Sequence, residues 1–397
     1  MRIHFLAFSL CAVTLLGAAG PEKVALYASV GPELTHYDVD FDNASLSKRA
    51  TVKCPASIQY VWPHPSKRYL YVAWSDGGPA GAAGAPTGGS RHGVTAFRVD
   101  SSGVLQQFGP TIALPSRPVH LTLDIPGTHV LVAHTIPSGL TVWNIAADGS
   151  LGSEVKQPAG LDMGVYAHQV RVDPSNKAVY LVTRGNGPTK DKPEDPGALK
   201  IFTYKDGLLA NLASVAPGGG YGFQPRHLDF HPSKPWVYVS LERQNKLDVY
   251  LKQKDGNLSR KPIFTRDSLA NPARSNAGQA AGTVHLHPDG KIVYQANRQS
   301  GTDGENTIAV YSINQSTGEP TLIQNIDTHG SSPRTFSLDP QARIMVAANQ
   351  VPPPGGGPAS MAVYRVRKDG KLDYVRKYDI EATNARSLFW MGLVPLP

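Results

Sequence analysis

The sequence predicts an all-β protein folded as a seven-bladed β-propeller, and three observations support this prediction. The 397 residues include 39 Gly and 33 Pro, and their Val-, Tyr- and Thr-rich runs have no amphipathic period of helical length, so many strands and turns are expected and few helices. One hairpin pattern recurs along the chain. The two ends of the chain carry complementary halves of that pattern.

The hairpin pattern is clearest in the middle of the chain. Residues 227–230 alternate polar and apolar types, as a strand with two different faces does. The sequence His-Pro-Ser-Lys at 231–234 is typical of a turn, and the run 236–241 is apolar. This pattern predicts an antiparallel hairpin in which Arg226 and Glu242 lie at the same end, away from the turn.

Two kinds of turn repeat with the same period. Similar hairpins begin near Gln59, Val119, His168, Thr283 and Arg334. A second turn, which leads into an apolar residue, occurs at Asp42-Asn43, Ser102-Gly103, Asp148-Gly149, Asp206-Gly207, Asp255-Gly256, Thr317-Gly318 and Asp369-Gly370. Two turns per repeat imply four strands, and about 54 residues per repeat account for the chain without its first 19 residues.

The ends of the chain predict how the ring closes. Residues 384–390 resemble the first strand of the hairpin at 333–338 but have no second strand after them. Residues 23–29 supply a matching second strand. We therefore expect a propeller closed by pairing of the N- and C-terminal strands. A pair of β-sandwiches is the alternative, and it explains neither the period nor the matched ends.

The N-terminus has the pattern of a secretory signal peptide. A basic residue, an apolar run over 5–16 and small residues at 17–20 predict a signal peptide over residues 1–19 and a propeller domain over 20–397. A membrane anchor is disfavoured because the run is shorter than the ~20 apolar residues that span a bilayer. We therefore expect a periplasmic or secreted protein that has no membrane contact after cleavage. Cys54 would then be the single cysteine, without an internal disulfide.

Charge and motifs narrow the functional classes. The formal net charge is +8, but Lys and Arg are scattered over turns and strand ends, which argues against nucleic-acid binding and favours attraction of a small anion. His64, His231 and His287 each precede Pro in the same turn and are expected to be structural. The sequence contains no common metal-ligand spacing, no Gly-x-Ser-x-Gly motif and no dinucleotide fingerprint, so we expect neither a metal nor a cofactor.

The predicted blade topology places the long loops on one face. Turns between strands one and two and between strands three and four lie on the bottom face, and the other connections lie on the top face. The long Gly- and Pro-rich segments 77–90, 185–197, 217–223 and 351–360 are all top connections. They are either solvated insertions or, as their shared position favours, a lid around a pocket.

Polar residues at the inner top rim are the candidate site. They surround the channel from two kinds of position, the starts of first strands and the ends of second strands. The first set is His120, His168, Arg226, Arg334 and Arg386, and the second is Arg184, Glu242, Arg298 and Asn349. A single arginine in such a place could be a clamp between blades. Several arginines around one cavity predict an anion, because carboxylate and phosphate bind guanidinium groups in a bidentate way.

Short motifs give the chain a resemblance to a known family. They are Ala167-His168-Gln169-Val170, Gln224-Pro225-Arg226-His227-Leu228, Ser240-Leu241-Glu242, Ala296-Asn297-Arg298 and Ser332-Pro333-Arg334-Thr335. With these motifs the chain resembles the seven-bladed propeller lactonases, whose members include a bacterial 6-phosphogluconolactonase and the fungal 3-carboxy-cis,cis-muconate cyclase. The resemblance implies an active-site quartet of His168, Arg226, Glu242 and Arg298. Arg334, Arg184, His120 and Asn349 are expected to bind substrate.

Three functions are compatible with these residues. The first is metal-independent hydrolysis of a small anionic lactone, with His168 or Glu242 as the base and His168 slightly preferred, because a neighbouring arginine would weaken Glu242 as a base. The second is cyclisation of a carboxymuconate to its lactone at the same residues. The third is a non-catalytic propeller that binds a ligand or a protein on its top face. The sequence leaves the oligomeric state open.

Overall fold

The computed structural model describes residues 22–77, 88–275, 278–299, 301–353, 356–382 and 387–397. The predicted signal peptide and Arg386 lie outside these residues. The described chain forms seven four-stranded antiparallel sheets, which confirms the predicted all-β propeller. Its helical structure consists of two 3-10 turns, Pro217–Gly220 and Pro272–Arg274. None of these described helical turns is long and apolar enough to cross a membrane.

Six blades each contain four consecutive strands, numbered from the channel outward. Blade 1 has β4 (Ser57–Pro63), β5 (Tyr69–Ser75), β6 (His92–Val99) and β7 (Leu105–Ala113), and blade 2 has β8 (Pro118–Leu123), β9 (His129–Thr135), β10 (Ser138–Ile145) and β11 (Leu151–Glu154). Blade 3 has β12 (Ala167–Val172), β13 (Ala178–Thr183), β14 (Ala198–Lys205) and β15 (Leu208–Val215), and blade 4 has β16 (Pro225–Phe230), β17 (Trp236–Leu241), β18 (Lys246–Leu251) and β19 (Phe264–Asp267). Blade 5 has β20 (Ala280–Leu286), β21 (Ile292–Arg298), β22 (Thr307–Ile313) and β23 (Pro320–Asp327), and blade 6 has β24 (Ser331–Leu338), β25 (Ile344–Val351), β26 (Ala359–Val366) and β27 (Leu372–Ile380).

The seventh blade joins the two ends of the chain. Its innermost strand is β28 (Leu388–Pro395), which pairs with β1 (Val24–Val30), followed outward by β2 (Glu33–Asp40) and β3 (Ser45–Lys53). The backbone N–H of Trp390 donates to Ser29 Oγ at 3.0 Å, and that hydroxyl donates to the Trp390 carbonyl at 3.2 Å. The predicted closure of the ring is confirmed.

The hydrophobic core lies between blades. Seven clusters of buried apolar side chains each join two neighbouring blades, one at every interface of the ring. Second strands such as β5 and β9 are buried along their whole length, because a blade covers each of their faces. Outer strands such as β27 are largely exposed. This gradient explains why the second strands were the clearest apolar runs in the sequence.

A tyrosine in five of the second strands connects each blade to the next. Its hydroxyl donates to the carbonyl of the glycine in the next blade's turn between strands three and four. The pairs are Tyr27 with Gly103, Tyr71 with Gly149, Tyr180 with Gly256, Tyr238 with Gly318 and Tyr294 with Gly370. These glycines have φ between +81° and +92°, a conformation that disfavours other residues. The recurring turn predicted from the sequence is therefore also a contact between blades.

Candidate active site

Each innermost strand contains a β-bulge, and the bulge residues form the base of the candidate site. Near its start, each of these strands has one more residue than its partner, so that one residue is left without an opposite neighbour. The bulge residues are Gln59, Val119, His168, Arg226, Thr283, Arg334 and Phe389. The innermost strands contact one another around the ring, and all seven bulge residues line the same central cavity.

This cavity is small and enclosed by polar and aromatic side chains. His168, Arg226 and Arg334 line it, together with the ring of Phe389. The space between them has room for about one water molecule. The space at the level of the bulge residues is therefore too small for a molecule larger than water, and the ends of the second strands lie above this level.

Glu242 is the centre of the site at that upper level. It follows β17, and three arginines from three blades approach its carboxylate. Arg184 Nη1 lies 3.1 Å from Oε2, Arg226 Nε lies 3.5 Å from Oε1, and Arg298 Nη2 donates to Oε1. The Glu242 side chain is only 8% exposed. Blades 3, 4 and 5 are thus held together at the channel mouth by one carboxylate.

The arginines decide the protonation state of Glu242. Burial by itself would raise its pKa, but the positive charges of Arg184, Arg298 and Arg226 outweigh burial and lower the pKa to about 2. Glu242 is therefore an anion at neutral pH and a poor acceptor of a further proton. Its carboxylate lies between three guanidinium groups and offsets part of their charge.

Arg226 is the most deeply buried of the arginines. Its side chain is 1% exposed, and neither Nε nor Nη1 has a hydrogen-bond partner among the described residues. Burial, and then repulsion from Arg298 and Arg334, lower its pKa well below the ordinary value despite the attraction of Glu242. A buried guanidinium with free donors favours binding of an oxygen acceptor in the cavity.

Arg334 has no carboxylate partner within ion-pair distance in the part of the chain that the structure describes. Its guanidinium carbon lies 3.8 Å from the centroid of the Phe389 ring, a cation–π contact. Burial, and then the charges of Arg298 and Arg117, lower the pKa of Arg334 to about 9. Arg334 thus presents a positive charge to the cavity that no described acidic side chain pairs with.

His168 lies next to these arginines as a neutral imidazole. It is buried, and its Nδ1 has no partner among the described residues. Burial and then the charges of Arg226, Arg334, Arg184 and Arg298 lower its pKa well below 6.5. A neutral ring with a free nitrogen can accept a proton from water.

Two predicted substrate-binding residues lie elsewhere. His120 is one residue beyond the bulge, lower in the channel, and its ring packs 3.9 Å from the Tyr60 ring between centroids. The Asn349 amide donates to the Thr328 carbonyl at 2.8 Å and to Ser360 Oγ at 3.0 Å, so it connects loops and strands within its own blade region. Neither side chain has a described contact with the Glu242 cluster.

Sequence reasoning missed several residues of the cavity and its surroundings, and four of them bear on its chemistry. Tyr60, His227 and Phe389 line the cavity, and Arg117, which donates to Gln59 Oε1 at 2.8 Å, contributes charge to it. Phe389 is the bulge residue of β28, three positions after Arg386, which had been aligned with Arg334 in the sequence. A repeat alignment shifted by three positions, which sets Phe389 against Arg334, would have identified it.

No group of three or more His, Cys, Asp or Glu side chains within the described ranges is arranged to hold a metal ion. The ionisable groups described around Glu242 include four arginines, with the neutral imidazole of His168 beside them. This set can bind an anion, stabilise a developing oxyanion and move one proton.

The comparisons with known proteins agree with this architecture. A family model described as "Lactonase, 7-bladed beta-propeller" matches residues 24–352. The 6-phosphogluconolactonase of Bacillus subtilis is 27% identical over 341 residues, which are 82% of this chain and 87% of that protein. The 6-phosphogluconolactonase of Serratia proteamaculans is 24% identical over 361 residues, which are 90% of this chain and 96% of that protein.

A solved structure shows the same fold. The periplasmic gluconolactonase PpgL of Pseudomonas aeruginosa superposes with a TM-score of 0.68 at 20% identity, covering 94% of this chain and 99% of that one. At this identity the likeness establishes the propeller architecture alone.

Proposed function

The chain belongs to the seven-bladed β-propeller lactonase family, and from this we propose that it hydrolyses a small anionic lactone, without a metal, at the channel mouth. His168, Arg226, Glu242 and Arg298 form the catalytic cluster of this proposal. Arg184 and Arg334 complete the anion-binding wall. The chemical class of the substrate, a lactone, follows from the family, and its anionic character is inferred from the charges of the site.

The observation that carries the proposal is the excess of arginine over carboxylate. Arg184, Arg226, Arg298 and Arg334 surround the site, and Glu242 is the one acidic side chain in the described residues that pairs with any of them. Like charges held together in a buried place favour an anionic ligand, and bidentate binding of carboxylate or phosphate suits guanidinium groups. A neutral lactone would leave this charge uncompensated.

The cluster suggests how the ring is opened. A water oxygen attacks the lactone carbonyl carbon while His168 accepts a water proton, and the guanidinium groups stabilise the oxyanion that forms. The bond from the carbonyl carbon to the ring oxygen then breaks, and His168 returns the proton to the departing alkoxide. Glu242 keeps its charge throughout, because its three arginine partners hold it as an anion.

Substrate binding would improve His168 as a base. The arginine charges that lower its pKa are the ones that a bound anion would offset. The pKa of His168 should therefore rise when the anionic substrate is present. His168 would thus become an effective proton acceptor only when the anionic substrate is bound.

A panel of lactones tests this proposal directly. Purified full-length protein should open lactones that carry a phosphate or carboxylate, with much higher kcat/KM than neutral lactones of the same ring size. His168→Ala should abolish most of that activity. Equal rates on neutral and anionic lactones would contradict the proposed anion site.

Cyclisation of a carboxymuconate is the second candidate, since the same arginines would bind its carboxylates and His168 would deliver a proton to the alkene. The two reactions share a lactone but differ in their starting compound. Incubation with carboxymuconate and detection of lactone formation by absorbance separates them. A third outcome, ligand binding without turnover of any compound in the panel, would identify a binding protein.

We also propose that the protein is exported and acts in the periplasm or outside the cell. The support is the pattern of basic start, apolar run and small residues before residue 20. N-terminal sequencing of protein from the periplasm or medium should give a start at or near Gly20. Protein that is found only in the cytoplasm and still begins at Met1 would refute export.

A further inference from the structure

A column of buried histidines lies below the arginines. His168, His227 and His120 come from blades 3, 4 and 2 and are all nearly inaccessible to solvent. The ring centroids of His168 and His227 are 5.3 Å apart, and those of His227 and His120 are 6.0 Å apart. The proposed hydrolysis uses only the first of these rings.

Four ring nitrogens of the column have no hydrogen-bond partner in the described part of the protein. They are Nδ1 of His168, Nδ1 of His227 and both nitrogens of His120. Buried polar atoms without a hydrogen bond are costly, so such sites usually hold water. The cavity that both His168 and His227 line has room for about one water molecule. One water there can connect the two imidazoles.

The column leads toward the bottom face of the propeller. Strand β16 runs from the top face to the bottom turn, and two residues after His227 it presents Asp229. The Asp229 carboxylate lies 3.1 Å from Arg171 and 3.7 Å from His285 Nδ1. The His285 side chain is 29% exposed, so this lower cluster reaches solvent.

Charged groups above and below the column shift the pKa values of its histidines. The pKa of His227 is lowered by burial and then by Arg226, His168, His120 and His285. The pKa of His120 is lowered by burial and then by Arg171, His285 and Arg226. Each ring is therefore within electrostatic reach of the next, and burial and the neighbouring charges favour the neutral form of each, so that any proton it accepts is passed on.

Hydrolysis releases a proton that has to leave the site. Each turnover converts a lactone and a water molecule into a hydroxycarboxylate and one proton. The bound product lies above His168, and the guanidinium groups around it repel a proton that would leave through the mouth. A route downward leads away from the four guanidinium groups of the mouth and ends at the Asp229 carboxylate, which is paired with Arg171.

We propose that His227 and His120 carry the product proton from His168 down the channel to the cluster of His285 and Asp229. The proposal rests on the proposed hydrolysis with His168 as the base. The proton that leaves the product acid protonates His168, passes through water to His227, then to His120, and is released to solvent at His285. Only N–H and O–H bonds form and break, and each imidazole returns to its neutral state.

The test measures whether an added proton carrier restores activity. His227→Phe and His120→Phe keep a ring of similar size but cannot carry a proton. In dilute buffer at saturating lactone, we expect kcat of the full-length variants to fall about tenfold with little change in KM, and added imidazole to restore it. Wild-type kcat should not depend on buffer concentration.

His231→Phe is the matched control. His231 is a buried histidine of the same blade, but its ring is hydrogen-bonded to the Gly290 carbonyl at 2.9 Å and to the Lys234 amide at 3.0 Å. Its replacement should lower the melting temperature without creating any response to imidazole. If Phe at position 227 prevents folding, His227→Gln is measured in its place.

The outcomes separate this proposal from the proposed function. Loss of activity in His168→Ala, together with wild-type kcat in folded His227→Phe and His120→Phe, would refute the proton route alone. A decrease in kcat that imidazole does not restore would also refute it, because it would indicate a packing defect. Wild-type activity in His168→Ala would refute the proposed hydrolysis mechanism itself.

Discussion

The guanidinium of Arg334 lies over the ring of Phe389, with 3.8 Å between the guanidinium carbon and the ring centroid. Both are bulge residues, from the innermost strands of blades 6 and 7. No described carboxylate pairs with Arg334. The main described contact of its guanidinium is therefore with the face of the Phe389 ring. A buried contact of this type contributes up to about 2 kcal/mol.

Phe389 should therefore control substrate affinity as a positioning residue. We expect Phe389→Leu to raise KM roughly five- to thirtyfold, with a smaller effect on kcat, because Arg334 loses the surface on which it lies. Phe389→Tyr keeps the ring face and should restore most of the affinity. Steady-state kinetics and thermal melting of both variants check this, and an unchanged KM in the leucine variant would show that Arg334 is fixed by other contacts.

Glu242→Gln tests the role of the carboxylate that the three arginines share. Without the anion, three buried guanidinium groups repel one another, and we expect a loss of about 3–5 kcal/mol in the free energy of unfolding together with near-complete loss of activity. Glu242→Asp, with a shorter side chain, should lose activity but retain more stability. Urea denaturation and kinetics measure the two effects. Full stability in Glu242→Gln would mean that the ion pairs contribute nothing to the fold.

The pKa of Glu242 also predicts a pH dependence of stability. Its folded pKa of about 2 lies below the ordinary value of 4.5, so its stabilising contribution is present above pH 4.5 and is lost as pH falls toward 2. The difference in unfolding free energy between the wild type and Glu242→Gln should shrink over this range. A difference that stays constant with pH would contradict the assigned ionisation.

His168 should set the acid limb of the activity profile. Its folded pKa is lowered, so kcat/KM is expected to rise with pH through a value below 6.5 and then level off. Arg334→Met removes one repelling charge and should move this limb to higher pH. His168→Ala should lower kcat by ~10²–10⁴-fold with little change in melting temperature. An acid limb that Arg334→Met leaves in place would assign it to a different group.

Arg226→Lys and Arg298→Lys test the need for planar guanidinium groups. Lysine keeps the charge but not the paired donors, so both variants should bind the anionic substrate or its transition state more weakly. Arg49→Lys, at an exposed position on blade 7, is the matched control and should behave as wild type. Equal kinetics for all three variants would show that only charge matters at this site.

Much of the fold was predictable because the propeller repeats its turn chemistry. The Asp-Gly turns recur for two reasons. The turn requires a residue with positive φ, and the hydroxyls of Tyr71, Tyr180 and their equivalents donate to the carbonyl of the turn glycine. The closure by β28 and β1 was predictable for a related reason, since each end of the chain lacked half of a hairpin.

The site was only partly predictable, because a bulge adds one residue without a clear sequence signal. His168 and Arg226 were identified from motifs, but His120 was placed one position too far, where Val119 is the bulge residue. Asn349 lies near the end of a second strand, as the sequence predicts. Its amide, however, donates to the Thr328 carbonyl and to Ser360 Oγ and has no described contact with the Glu242 cluster. The contact of Phe389 with Arg334 joins two strands that are far apart in sequence and leaves no local sequence signal.

Deletion of residues 384–397 would test the closure. Strand β1 would lose its inner neighbour and expose an unpaired edge, so we expect aggregation or loss of cooperative unfolding. Wild-type solubility and melting temperature in the truncated protein would show that the ring holds without this strand.

The pairing of the first and last strands also has a consequence for biogenesis. Trp390 and Ser29 are 361 positions apart, so the contact that completes blade 7 can form only after residue 390 has been synthesised. The same strand carries Phe389 to Arg334. A chain that lacks this strand therefore has an incomplete site, and a contact of such high sequence separation is of the kind that slows folding.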